Sequence, residues 1–230
     1  MNCYKKKKAS NDKMKQIFSL VKKEFVIDFR DASGIMSIFI YLIGILYATS
    51  LLFKGNFTSV SYSSVFLIIF VFTSIISTHR NFLKENADSG LFNYIYYSPE
   101  QFIAGKIIYG TLINLIMAFL LIGLFVIFNG SLINNLNTFI LTISGLSIGM
   151  GILLSLMGSI SGKTQNHFAL MSILSFPLLL PMLIISAKLL ISAIDGLPIS
   201  MSVKYIVSLY FLDVIVLVLS LILFPQVWEE

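Results

Sequence analysis

One cysteine, one tryptophan, two histidines and five prolines stand in 230 residues, and each scarcity removes a class of protein. Cys3 has no second thiol to join, so no internal disulfide framework is expected. It also lies ahead of every apolar run rather than behind one, which argues against a lipoprotein-type anchor. His79 and His167 show no H-E-x-x-H or comparable ligand spacing, so both read as interfacial residues rather than metal or haem ligands. Asp, Glu, Lys and Arg make up 12% of the chain, too little to clothe a soluble fold of this size. Paired acids, metal clusters and a nucleophile with its base are missing, so the chain reads as a non-enzyme with no catalytic residue and no cofactor or metal of its own. A basic patch interleaved with aromatics is missing too, which excludes nucleic acid as a partner.

What is present is hydrocarbon: 57% hydrophobic residues and a mean hydropathy of +0.91. A helix needs about 20 mainly apolar residues to cross a hydrocarbon core about 30 Å thick. Six runs qualify, at about 35–53, 62–78, 107–128, 136–160, 168–187 and 205–224; five lack Asp, Glu, Lys and Arg, and the sixth holds Asp213. Backbone groups in lipid must be satisfied within their own segment, and continuous apolar runs are not the alternating pattern of barrel strands. The expected fold is therefore all-α, a polytopic membrane protein with six transmembrane helices. A basic mobile tail at 1–13 precedes a single membrane domain at 14–230. The first apolar run begins behind that tail, which is not the layout of a cleaved secretory signal, so it is expected to stay as an anchor.

Basic residues set the orientation. With the N-terminus in the cytoplasm, thirteen of the sixteen Lys and Arg fall inside, and Lys54, Lys188 and Lys204 fall outside. Both termini are then cytoplasmic, and the net charge of +5 reads as topology and attraction to anionic membrane lipid. At 100° per residue Met14, Ile17, Phe18, Val21, Phe25 and Phe29 share one stripe opposite Lys15, Lys22, Lys23 and Arg30, the pattern of an N-terminal amphipathic interfacial helix over 14–30. Asp28 weakens that stripe.

The longest cytoplasmic connection, 79–106, carries local signals of order. Asp88-Ser89-Gly90 is a helix stop. Ser98-Pro99-Glu100-Gln101 is a helix start with a capping box, and the aromatic LFNYIYY between them suits a short helix on headgroups or in a groove of another protein. The outside connections are short, and that at 188–204 suits a partial surface helix broken at Gly196-Leu197-Pro198. The fourth span is rich in small residues (Ser144, Gly145, Ser147, Gly149, Gly151, Ser155, Gly158, Ser159), which permit close backbone approach inside the bundle or across a dimer. Pro177 and Pro181 should kink or interrupt the fifth span.

Two features invite functional readings. Gly158–Thr164 looks like a phosphate loop but lacks the first glycine, where Met157 stands, and a preceding strand, so Lys163 reads as a charge at a helix end. Asp213 is costly in lipid; it is either a packing residue facing the bundle or part of a transport pathway, and Lys204 is too far along the same helix to pair with it.

Three stretches together resemble one family, the haem exporter protein B (CcmB) family, a type-2 ABC transporter permease of the cytochrome c maturation system: KKEFVIDFRDASGI at 22–35, NFLKENADSGLFNYIYYSPEQFIAGKIIY at 81–109 and SGKTQNHFALMSILSFPLLLPMLIISA at 161–187. In the second, Glu85, Asp88, Gly90, Pro99 and Lys106 match the family pattern; in the third, Pro177 and Pro181 do. The lysine-rich tail lies outside the match. The resemblance implies a permease subunit in the bacterial inner membrane that works as a homodimer. ATP would be hydrolysed by a separate CcmA-like ABC ATPase, with CcmC-, CcmD- and CcmE-like proteins in the same system and haem as the transported or handled ligand. The mechanism expected for such a subunit presents the interfacial helix and the 80–101 loop to the ATPase, with Glu85, Asp88, Gly90, Leu91, Phe92, Tyr96, Pro99 and Glu100 as the contact residues. The rival readings are a permease of the same class for a glycan, lipid or drug, and an ion-coupled secondary transporter that uses Asp213.

Overall fold

The structure, a computed structural model, describes residues 2–30, 32–88, 97–161 and 167–228, with side chains described at 14–30, 36–82, 97–161 and 169–226. Seven helices and no strand occur among the described residues: α1 Asn2–Arg30, α2 Ala32–Phe53, α3 Ser59–Asp88, α4 Pro99–Asn129, α5 Leu136–Ser161, α6 His167–Ile194 and α7 Ile199–Trp228. Six of these, α2 to α7, are long and apolar enough to cross a membrane; α1 is not. Each expected span is found, yet most helices outrun their apolar runs. Polarity marks where lipid ends, whereas a helix continues until a stop signal or the next proline ends it. α1 likewise starts at Asn2, inside the basic stretch, rather than at Met14.

The helices pack around α5, which touches α3, α4, α6 and α7. Its apolar window is 78% buried against 17% for α2, so α5 is the axis and α2 the periphery. Small residues explain that position, because a helix surrounded on several sides must let its neighbours come close. A Cβ on Gly145 would meet Leu209 and Tyr210 of α7, and one on Gly149 would meet Met182 of α6 and Asp213 of α7. At Gly151 it would strike the backbone of Thr111 in α4, and at Gly158 the ring of Phe82 in α3. The small-residue stripe is thus used inside the bundle. Gly158, the first residue of the apparent phosphate loop, is a packing position, and Gly162–Asn166 lie outside the described residues.

The turns at the two ends of the bundle differ. At one end Ser50 Oγ donates to the Phe128 carbonyl (3.1 Å), and the Asn135 amide donates to the Ala193 carbonyl (2.8 Å). There Gly196, at φ 74°, turns α6 into α7, and a Cβ would sit 3.2 Å from Asn134. This turn is as expected, but 188–194 continues α6 instead of forming a separate surface helix. An aromatic cluster fills the bundle beneath, with Tyr62 against Phe125 (4.6 Å between centroids) and Phe66 against Phe139 (5.8 Å). The opposite end gathers α1, the end of α3 and the start of α4.

Pro177 and Pro181 do not interrupt the fifth span, because α6 is continuous through both. Each removes one backbone donor, freeing the carbonyls of Ile173 and Pro177, and both prolines sit on the exposed outer face.

Candidate functional site

The face of α1 that packs on the bundle is not the centre of its apolar stripe. Met14, Phe18 and Phe29 are exposed, while Leu20, Val21 and Glu24 are buried. Leu20, Glu24 and Asp28 recur every four residues and so form a single ridge. That ridge meets α4 along Gly105, Lys106 and Tyr109. Leu20 fits the notch at Gly105, where a Cβ would come within 2.7 Å of it. Phe25 adds an edge contact to the Tyr109 ring at 5.1 Å. Asp28, which spoils the stripe in sequence, accepts a hydrogen bond from the Tyr109 hydroxyl.

At the centre of the ridge lies a closed polar clamp. Lys106 Nζ is 3.1 Å from Glu24 Oε1 and donates to Asn81 Oδ1 at 2.9 Å, while Asn81 Nδ2 donates to Glu24 Oε2 at 2.8 Å. The residues are 1%, 3% and 5% exposed, so all three contacts operate with little water between them. The rings of Phe82 and Phe102 flank the ammonium at 4.9 and 5.7 Å from their centroids, adding cation–π attraction to a dry site. Ser155 Oγ of α5 donates to the Lys106 carbonyl at 3.0 Å. One lysine therefore joins α1, α3 and α4, and its backbone joins the central α5.

The residues implied as ATPase contacts stand at or beyond the two helix ends that this clamp joins. Glu85 and Asp88 belong to the last turns of α3, and their side chains lie outside the described residues. Gly90, Leu91, Phe92 and Tyr96, with the short aromatic helix expected there, also lie outside the described residues. Pro99 is the first residue of α4, Glu100 the second and exposed, and Gln101 Oε1 accepts from the Ser98 amide at 3.2 Å, the reciprocal half of the capping box. Asn81 is one turn before Glu85 in α3, and Lys106 is two turns after Pro99 in α4. The clamp thus ties the two stems of the 89–98 segment together and fastens α1 across them. Glu24 and Asn81 escaped sequence reading, and Lys106 counted there as a topological charge and as a match to the family pattern but not as a partner of either; the usable signal was an acid interrupting the inner edge of an amphipathic helix.

Asp213 is remote from this end. It is 3% exposed, packs against Gly149 and Met182, and neither carboxylate oxygen has a hydrogen-bond partner among the described residues. Among the described residues no three of His, Cys, Asp and Glu converge as a metal site. A group that forms no stabilising contact loses nothing when its charge is removed. Asp213→Asn is therefore expected to unfold at the same or a higher temperature than the parent in detergent, and to keep transport. A clear drop in melting temperature would expose a missing partner, and stable but inactive protein would favour ion coupling.

The family model described as CcmB protein matches residues 15–226, which takes in α1 from Lys15, the clamp and all six spans. No curated protein matches the chain.

Proposed function

The chain belongs to the CcmB protein family, a transporter permease family of cytochrome c maturation, and from that membership we propose that a separate cytoplasmic ABC ATPase drives it mechanically. In this reading haem is delivered, or a haem-loaded CcmE-like chaperone released, at the outer face of the bacterial inner membrane. Two copies pair about a two-fold axis, each offering α1 and the 79–106 connection to a CcmA-like subunit, with CcmC- and CcmD-like components alongside.

The Glu24–Lys106–Asn81 clamp carries this reading. A subunit that receives work at a surface must move its receiving elements as one body, because loosely joined elements would dissipate the displacement. Here α1 and both stems of the connecting segment share buried charge-assisted contacts, and α4 lies directly against α5, through which movement would pass. The aromatic run 92–97 would supply the anchors of the contact, since aromatic residues commonly dominate interface energy.

Leu91→Asp and Phe92→Asp are expected to abolish co-purification of the ATPase in mild detergent while the permease itself still reaches the membrane. Unchanged co-purification would remove the loop from the contact. The substrate is tested separately: deleting the gene should eliminate c-type cytochromes from haem-stained membranes, and normal staining would favour a permease for a glycan, lipid or drug.

A further inference from the structure

Next to the clamp, between α1 and the membrane-spanning helices, lies a cavity of about 160 Å³. Its polar lining is Asp28 of α1 with Ser77 and Arg80 of α3, and its apolar lining includes Ile113, Met117 and Leu120 of α4. The polar groups lie towards the clamp end, where Phe25 and Phe29 also line the cavity, and the lining that continues inward along α4 is apolar. Asn81 and Lys106 are in contact, so Arg80 lies near the level of Lys106. At 1.5 Å per residue Ile113 is about 10 Å and Leu120 about 20 Å further into the bundle. Phe29 and Ile116, also on the lining, are largely exposed, so the cavity opens sideways at the surface that lipid covers. Charge at the boundary and an apolar track running inward is the complement of an amphiphile, and so is a cavity with a few convergent polar groups on a hydrophobic floor.

We propose that this cavity holds a phospholipid with an ethanolamine headgroup, its phosphodiester on Arg80, its primary ammonium on Asp28, and part of one acyl chain along Ile113, Met117 and Leu120. The guanidinium fork suits phosphate oxygens, and a carboxylate suits an ammonium that can donate hydrogen bonds. Choline offers no N–H to Asp28. A glycerol headgroup leaves a net negative lipid beside that carboxylate. Lipid in this place would wedge α1 against the clamp, since Asp28 and Glu24 lie on one ridge. The inference requires α1 to lie at a membrane boundary and does not depend on the ATPase reading, because it is tested without nucleotide.

The test is competition on the full-length wild-type protein: delipidate it, offer equal amounts of phosphatidylethanolamine, phosphatidylcholine and phosphatidylglycerol in micelles, and measure retained lipid by native mass spectrometry. Phosphatidylethanolamine should be retained about tenfold over each competitor, the size of one charge-assisted contact. Arg80→Gln should lose retention of all three. Asp28→Asn, which can still accept from Tyr109, should keep retention but lose the preference over choline. Arg30→Gln, an exposed charge outside the cavity, should behave as the parent. Equal retention of the three lipids by the parent overturns the proposal even if a variant fails to fold. So does a stabilisation by soluble phosphoethanolamine equal to that given by the lipid, which would identify the site as one for a free phosphate ester.

Discussion

Lys106→Met is expected to unfold the end of this permease at which α1, α3 and α4 are joined. Glu24 is buried, and its carboxylate is held by two donors, the Lys106 ammonium and the Asn81 amide. Deleting the ammonium leaves a buried charge without its counter-charge, a change that costs about 3–5 kcal/mol. Whole-protein stability is of the order of 5–15 kcal/mol, so that loss should appear as a collapsed elution peak or a large fall in melting temperature in detergent. The double variant Glu24→Gln with Lys106→Met should recover most of the loss, because removing both charges together is often neutral. Its function should not recover in parallel. If the clamp transmits work, the double variant will fold and still fail to produce c-type cytochromes. A Lys106→Met protein as stable as the parent would show that the pair carries no buried charge, and the coupling argument would go with it.

The fold was legible because lipid imposes a simple rule: segments that cross it must be apolar for about 20 residues and satisfy their own backbone. Number of spans and helical class follow from that rule; the size of the glycine side chain permits close packing of α5 inside the bundle or across a dimer, and the neighbours of Gly145, Gly149, Gly151 and Gly158 place it inside. The prolines show its limit. Pro177 and Pro181 remove backbone donors, but a membrane helix tolerates them without breaking, so of the two outcomes expected, a kink or an interruption, the interruption is removed. The clamp was not legible for a different reason. Its members lie 57 and 25 residues apart along the chain, and each reads separately: Glu24 beside a lysine pair, Asn81 just past an apolar run, Lys106 as an inside charge. Hydropathy reports where a residue sits relative to the membrane but not which residue it faces. Asp28 makes the same point: it counts as a defect in the stripe of α1 until Tyr109 is brought to it.

The site and the fold meet at α4, which starts beside the connecting segment and then lies directly on α5. That contact depends on close backbone approach. On Gly151 a Cβ would stand 2.5 Å from both Cα and N of Thr111, which are main-chain atoms that cannot rotate away. Gly151→Ala must therefore push two helices apart, and overpacking of this kind costs about 1–3 kcal/mol and at times more. Two other glycines on α4 calibrate it. At Gly105 the obstruction is the Leu20 side chain, which can change rotamer, so Gly105→Ala should cost less and act on α1 alone. At Gly123 nothing lies within 4 Å, so Gly123→Ala should be neutral or gain up to about 1 kcal/mol from helix propensity. Melting temperatures in one detergent should rank Gly123→Ala above Gly105→Ala and both well above Gly151→Ala. If Gly151→Ala melts with Gly123→Ala, then α4 and α5 are not in backbone contact, and movement at the connecting segment has no direct route to the bundle axis.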